Sequence, residues 1–162
     1  MVLGVEIGGT KQQIAVCEAN GQLVEMVSGK PKIERGAPDI LDWLKENIEI
    51  LLKKYEITTI GVGFGGPLET ATGRVLISLQ VKGWKDFELK TWFEQTFNRP
   101  TVVVNDTVAG GYAELHLGAG RGSNAFFYTS AGRSLLTASR GTASDSVLPI
   151  SAIPTSASRP CA

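Results

Sequence analysis

The sequence lacks any excess of charge: 16 Lys and Arg face 16 Asp and Glu across 162 residues. Such a balance offers no global basic field to attract nucleic acid or an anionic membrane. Cysteine is scarce. Only Cys17 and Cys161 occur and no CxxC pair exists, so neither a disulfide framework nor a four-ligand zinc site is supported. Histidine occurs once, as His116 before a glycine loop, and reads as a surface or capping residue without a catalytic partner. No apolar run approaches the roughly 18 residues of a membrane-spanning helix. The opening MVLGVEIGGTK has neither the basic segment nor the cleavage pattern of a secretory signal. These absences leave the expectation of a soluble, cytoplasmic, mixed α/β protein. Its 43% hydrophobic content is enough for a sizeable core, and its length is that of about one domain.

The composition breaks near residue 130. Residues 130–162 hold eight of the eleven serines and three of the seven prolines, with no Lys, Glu or aromatic residue. Their three Arg and one Asp leave 13 basic and 15 acidic residues in 1–129, a net of −2. A stretch so poor in large apolar side chains does not offset its ordering entropy, and it reads as a disordered Ser/Ala/Pro tail. The organisation expected is therefore a globular part, 1–129, and a tail, 130–162.

Within the globular part, 2–7, 12–17 and 22–27 read as three antiparallel strands, the last two joined by an Asn20-Gly21 turn. Residues 38–55 read as a helix: Pro38 suits the first turn, Asp39 faces the positive dipole end, and Ile40, Leu44, Ile48, Leu51 and Tyr55 share a face. A buried strand at 57–64 ends at Gly65-Gly66-Pro67, and a hairpin or irregular excursion turns at Thr72-Gly73. A helix is expected near 87–97, closed by Asn98-Arg99-Pro100. Then come a strand at 101–104, a helix from Asp106 to about Leu117 weakened by Gly110-Gly111, a loop at 118–122 and a strand at 125–129. This order favours an α/β layer built on a mixed sheet.

Three segments stand at strand ends and carry the candidate chemistry. Gly8-Gly9-Thr10-Lys11 combines close backbone approach with amides, a hydroxyl and an ammonium. It reads either as a phosphate cradle or as an ordinary tight turn. It is not a Walker loop, because GxxxxGK[ST] is absent and no helix follows. Residues 61–67 (GVGFGGP) contain GxGxxG, but Pro67 and a Thr/Gly-rich hairpin follow where a dinucleotide fingerprint must open a helix. Gly65 and Gly66 then serve either ligand access or close strand packing. The strand at 101–104 delivers Asn105 and Asp106 to the start of a helix. There Asp106 is either a cap or a general base, and Asn105 an amide for hydroxyls. Trp84, following Gly83 in a loop, is the one tryptophan placed to border a pocket.

In this order and spacing the three segments closely resemble the ROK family (repressor, open reading frame, kinase), sugar kinases and sugar-responsive repressors. GVEIGGTKQQIAV resembles the family's first phosphate motif, GVGFGGPLETATGRV its sugar-side glycine motif, and VVVNDTVAGGYAELHLGAGRG its catalytic segment. The likeness covers roughly 1–129. It implies the N-terminal lobe of an actin-like ATPase (ribonuclease H-like) fold, a mixed sheet with flanking helices. It also implies ATP-dependent phosphorylation of a hexose, as in glucokinases. Asp106 would be the catalytic base, and Gly65, Gly66, Gln80, Asn105 and Asp106 would line the sugar site. Gly8, Gly9, Thr10 and Lys11 would face the ATP phosphates, with Glu6 toward Mg2+. The partners implied are a small sugar and a second copy as a homodimer, with no nucleic acid and no membrane.

Three departures qualify the likeness. Relatives often carry Asp where this chain has Glu6. Before Gly83-Trp84 they carry a sugar-binding Asn, where this chain has Ser78-Leu79-Gln80-Val81-Lys82. After a strand like AFFYT they continue into a second phosphate motif and a second lobe, whereas here the likeness ends at 129 or 130. The expectation is a truncated or frameshifted kinase, inactive alone. The alternatives are the sugar-binding domain of a ROK-type regulator, disfavoured because no helix-turn-helix precedes Met1, and a non-catalytic single-lobe module.

Overall fold

The computed structural model describes residues 1–131, 135–140 and 148–149. Its backbone divides into two compact units, Met1–Ala109 and Gly110–Ala162.

The first unit is built on a five-stranded sheet of order β3-β2-β1-β4-β7. Strands β1 (Val2–Ile7), β2 (Gln12–Cys17) and β3 (Leu23–Gly29) form an antiparallel meander, and β4 (Thr59–Phe64) and β7 (Thr101–Asn105) add parallel to β1. The tight turn between β2 and β3 depends on Gly21, whose φ of 87° is left-handed, and on Asn20, whose side-chain oxygen accepts the Gln22 amide. The mixed sheet expected from the element order is present.

Alternation in β1, β2 and β4 sends one set of side chains to a single face. Val5 lies beside Ile14 and Val62, and Leu3 beside Val16 and Ile60, so the buried rows run straight across the strands. Helix α1 (Ala37–Lys54) covers this face with Ile40, Leu44, Ile48 and Leu51, and α2 (Leu89–Phe97) with Leu89, Phe93 and Phe97. Gly36 starts α1 at φ 76°, and a β-carbon there would press on the Lys82 carbonyl. Asn98 closes α2 in the left-handed region, just ahead of Pro100.

The other face carries Gly4 and Glu6 of β1, Gln13 and Ala15 of β2, and Gly61 and Gly63 of β4. A hollow of about 470 Å³ lies over it, reaching Asp106 and Ala109. Helix α3 (Asp106–His116) starts on this side. A β-carbon at Gly63 would stand 3.6 Å from the Asp106 Cα and 3.7 Å from the Ala109 Cβ.

Between β4 and α2 the chain forms the short hairpin β5 (Leu68–Glu69) and β6 (Arg74–Val75), turning at Gly73 as expected. Trp84 does not line the hollow. It is 1% exposed and meets Phe64 and Phe87 edge to face at 5.2 Å each. Its indole finds more apolar partners in the core than a loop position suggests. Cys17 is half-buried, because its register position puts it on the open face.

The second unit holds the rest of α3, which runs through Gly110-Gly111 to His116. There the exposed imidazole stacks on Tyr112 at 6.0 Å. Strand β8 (Phe126–Ala131) pairs antiparallel with β9 (Leu135–Arg140), and β10 (Leu148–Pro149) adds to β9. Strands β9 and β10 fall within the stretch that composition assigns to a disordered tail. Leu135, Leu136 and Thr137 of β9 form an apolar run within it. Residues 132–134, 141–147 and 150–162 lie outside the described residues. No helix among the described residues is long and apolar enough to cross a membrane.

Candidate functional site

The register assembles the site. Ile7 pairs with Phe64, and Phe64 with Asn105, so three parallel strands end on one row. The residues one step beyond that row are Gly8, Gly65 and Asp106. Segments separated by dozens of residues thus meet at the carboxyl edge of one sheet, where open α/β sheets hold ligands.

Gly65 is the centre of this meeting. Its amide donates to the Ile7 carbonyl at 2.9 Å. A β-carbon on it would lie 3.2 Å from Asp106 Oδ2 and 3.6 Å from the Gly8 Cα. Gly66 is packed against the Phe64 ring. Gly8 closes the first turn through its amide, 3.1 Å from the Lys11 carbonyl. Gly8, Gly9, Gly65 and Gly66 are absent from the left-handed set, so closeness rather than unusual φ requires glycine here.

Asp106 is partly buried and its two oxygens differ. Oδ1 accepts the Thr107 amide at 2.7 Å and the Thr107 hydroxyl at 3.4 Å. Oδ2 accepts no hydrogen bond among the described residues and faces Gly65. The carboxylate is therefore held by one oxygen and without a hydrogen-bond partner at the other among the described residues. Thr107, 6% exposed, is the anchor. Sequence reading missed it, although its place directly after Asn-Asp at a helix start was the available signal.

Asn105 is more occupied than its expected role suggests. Its Nδ2 donates to the carbonyls of Phe64 at 3.4 Å and Gly66 at 3.1 Å, and its Oδ1 accepts the Thr107 amide at 3.0 Å. Both N–H groups are thus spent tying β4 to β7, and one Oδ1 lone pair is left for a ligand hydroxyl.

At the first turn, Lys11 Nζ is 3.8 Å from Glu6 Oε2, and the two side chains are 54% and 49% exposed. Exposed pairs of this kind contribute only about 0.2–1 kcal/mol, so a phosphate can displace the carboxylate from the ammonium. No group of three or more His, Cys, Asp or Glu among the described residues is placed to hold a metal. Glu6 and Asp106 nevertheless line the same hollow. Such a donor set suits Mg2+ held by one or two carboxylates together with substrate phosphates, rather than in a protein cage.

Gln80 comes to the same edge from another direction. Its side chain lies on Gly9, where an added β-carbon would fall on the carboxamide. All the expected site residues are thus gathered within the first unit. The expected absence of a helix after Gly65-Gly66 also agrees with the structure, which leads into β5 and β6.

Comparison with known proteins identifies the family and the fold. The ROK family model matches residues 2–135, a few residues past the point where sequence reading ended the likeness. A glucokinase of Streptomyces coelicolor is 27% identical over 122 residues, covering 75% of this chain and 38% of that protein. The xylose repressor of Bacillus spizizenii is 23% identical over 133 residues, covering 79% of this chain and 34% of that protein. Among solved structures, a ROK family glucokinase from Streptomyces griseus, in complex with glucose and AMPPNP, superposes with a TM-score of 0.80. It is 24% identical, covering 91% of this chain and 46% of that one. The chain thus spans under half the length of these relatives, one lobe of an actin-like ATPase fold. By its sequence and its fold, the chain belongs to the ROK family.

Proposed function

We propose that the chain is the N-terminal, base-carrying lobe of an ATP-dependent hexose kinase of the glucokinase kind. The observation that carries this reading is the Asp106 carboxylate, anchored at Oδ1 and free at Oδ2, on the same sheet edge as the GGTK turn.

In this reading a sugar hydroxyl lies against Asp106 Oδ2, which takes its proton as the hydroxyl oxygen attacks the terminal phosphorus of ATP and ADP leaves. The spare Asn105 Oδ1 lone pair, the Gln80 carboxamide and the backbone at Gly65 and Gly66 hold neighbouring hydroxyls. The turn at Gly8, Gly9, Thr10 and Lys11 faces the phosphates, and Lys11 exchanges Glu6 for a phosphate oxygen. Mg2+, when bound with the nucleotide, screens the phosphate charge, and Glu6 is the carboxylate nearest the turn to meet it. The protein's contribution is positioning and charge stabilisation, as phosphoryl transfer requires.

Residues 1–129 form the lobe in this account. The remaining half that relatives carry supplies the rest of the nucleotide site, so turnover belongs to the two-lobed enzyme, and a homodimer of such enzymes is the assembly proposed. Asp106→Asn is expected to lower the rate of ATP-dependent sugar phosphorylation in that enzyme by about 10²–10⁴-fold. Undiminished turnover would remove the base assignment. Similarity to a xylose repressor favours a second reading, a sugar-responsive regulator. A regulator binds sugar at this edge without consuming ATP, so formation of sugar phosphate separates the two.

A further inference from the structure

We propose that Gln80 is a positioning residue that couples the sugar-facing edge to the phosphate-facing turn, an inference that rests on the kinase reading. Its side chain is seated on Gly9. A β-carbon there would overlap the carboxamide and come within 2.8 Å of Gln80 Cδ and 2.9 Å of its Cβ. The loop fixes the backbone from which the side chain projects. Ser78 Oγ accepts the amides of Gln80 and Val81 at 3.3 and 3.2 Å. Val81 and Trp84 are buried after it, and the Lys82 carbonyl is tied to the Ala37 amide at 2.8 Å.

The carboxamide itself makes no hydrogen bond among the described residues. Its two N–H donors and its oxygen are all unspent, and they suit adjacent sugar hydroxyls. A phosphate on the GGTK turn needs the space that this side chain fills over Gly9. The two positions exclude each other. Gln80 either covers the turn or turns to a sugar and leaves it open. A sugar therefore strengthens nucleotide binding, and the nucleotide strengthens sugar binding by the same factor.

The test uses amide NMR titrations of the chain with AMPPNP and Mg2+, with and without saturating glucose. In the unaltered protein glucose is expected to tighten AMPPNP at least about fivefold, the lower end of ordinary coupling. In Gln80→Ala the affinity without glucose rises to the glucose-saturated value, and the ratio falls to about 1. Gln80→Asn keeps the amide on a shorter arm. It loses coupling. Hydrogen exchange of the Gly9 amide in the unliganded protein accelerates in Gln80→Ala. An unchanged coupling ratio in Gln80→Ala overturns the proposal. So does weaker AMPPNP binding in that variant regardless of glucose, or an unchanged Gly9 exchange rate. If neither ligand binds the unaltered protein, the kinase reading falls and the coupling with it. If both bind with the ratio unaltered, only the coupling falls.

Discussion

Asp106 Oδ2 and Gly65 face each other so closely that a β-carbon on Gly65 would stand 3.2 Å from that oxygen. The two residues leave adjacent strands one step beyond the paired Phe64 and Asn105. The absence of a side chain on one sets the position of the carboxylate on the other.

Gly65→Ala should therefore act on rate more than on stability. The added methyl meets the far end of a carboxylate, which yields by a small rotation that shifts both of its oxygens. A displaced base in an otherwise intact site costs about 10–100-fold in kcat, since misplacement by 1 Å reaches the upper figure. Steady-state kinetics of the two-lobed enzyme, with a thermal melt as control, give the comparison. An unchanged kcat would show that the carboxylate position is not set by Gly65.

Asn105 has a structural burden that can be measured without any ligand. In Asn105→Ala the carbonyls of Phe64 and Gly66 lose their shared donor, at a cost of about 1–3 kcal/mol. Asn105→Asp should be at least as damaging, because a carboxylate brings acceptors toward two carbonyl oxygens. Urea unfolding of the three proteins tests the order.

The edge strand β3 is tied to α1 by a pH-sensitive cluster. Glu25 Oε2 accepts from Lys54 Nζ at 2.5 Å and from the Tyr55 hydroxyl at 2.6 Å. The Lys54 hydrogen bond first, and then that of Tyr55, holds the Glu25 carboxyl below its usual range, while the Glu25 hydrogen bond raises Lys54. A lowered carboxyl contributes stability above its unfolded pKa and loses it as pH falls through the folded value. A raised amine contributes below its unfolded pKa and loses it as pH rises through the folded one. Urea midpoints of Glu25→Gln should thus fall less steeply than those of the unaltered protein between neutral and acid pH. Identical acid limbs would leave the cluster without weight.

Much of this was legible in the sequence for a physical reason. The apolar runs VLGVEI and QQIAVC mark strands, and the 3.6-residue spacing of Ile40, Leu44, Ile48 and Leu51 marks a helix with one buried face; the structure follows both closely, with burial alternating along the two strands. The meeting of Gly8, Gly65 and Asp106 follows once the strands are known to be parallel and in register. What stayed hidden depends on side chains from distant segments. The occupation of Asn105 by Phe64 and Gly66 carbonyls has no sequence signature, and neither does the seat of Gln80 on Gly9. Trp84 was misread because a tryptophan after glycine looks alike in a loop and in a core, and only the positions of Phe64 and Phe87 decide. Strand β9 was hidden by the Ser- and Ala-rich composition around it, since backbone pairing with β8 is insensitive to side-chain polarity.

The central claim is that the edge formed by the ends of β1, β4 and β7 holds a sugar beside a nucleotide's phosphates. Its most direct test is residue-resolved amide NMR of the chain titrated separately with glucose and with AMPPNP and Mg2+, which detects even weak binding to one lobe. The account predicts glucose-dependent shifts at Gly65, Gly66, Asn105 and Asp106, and nucleotide-dependent shifts at Gly8, Gly9, Thr10 and Lys11. Shifts confined to other parts of the chain, or none with either ligand, would contradict it.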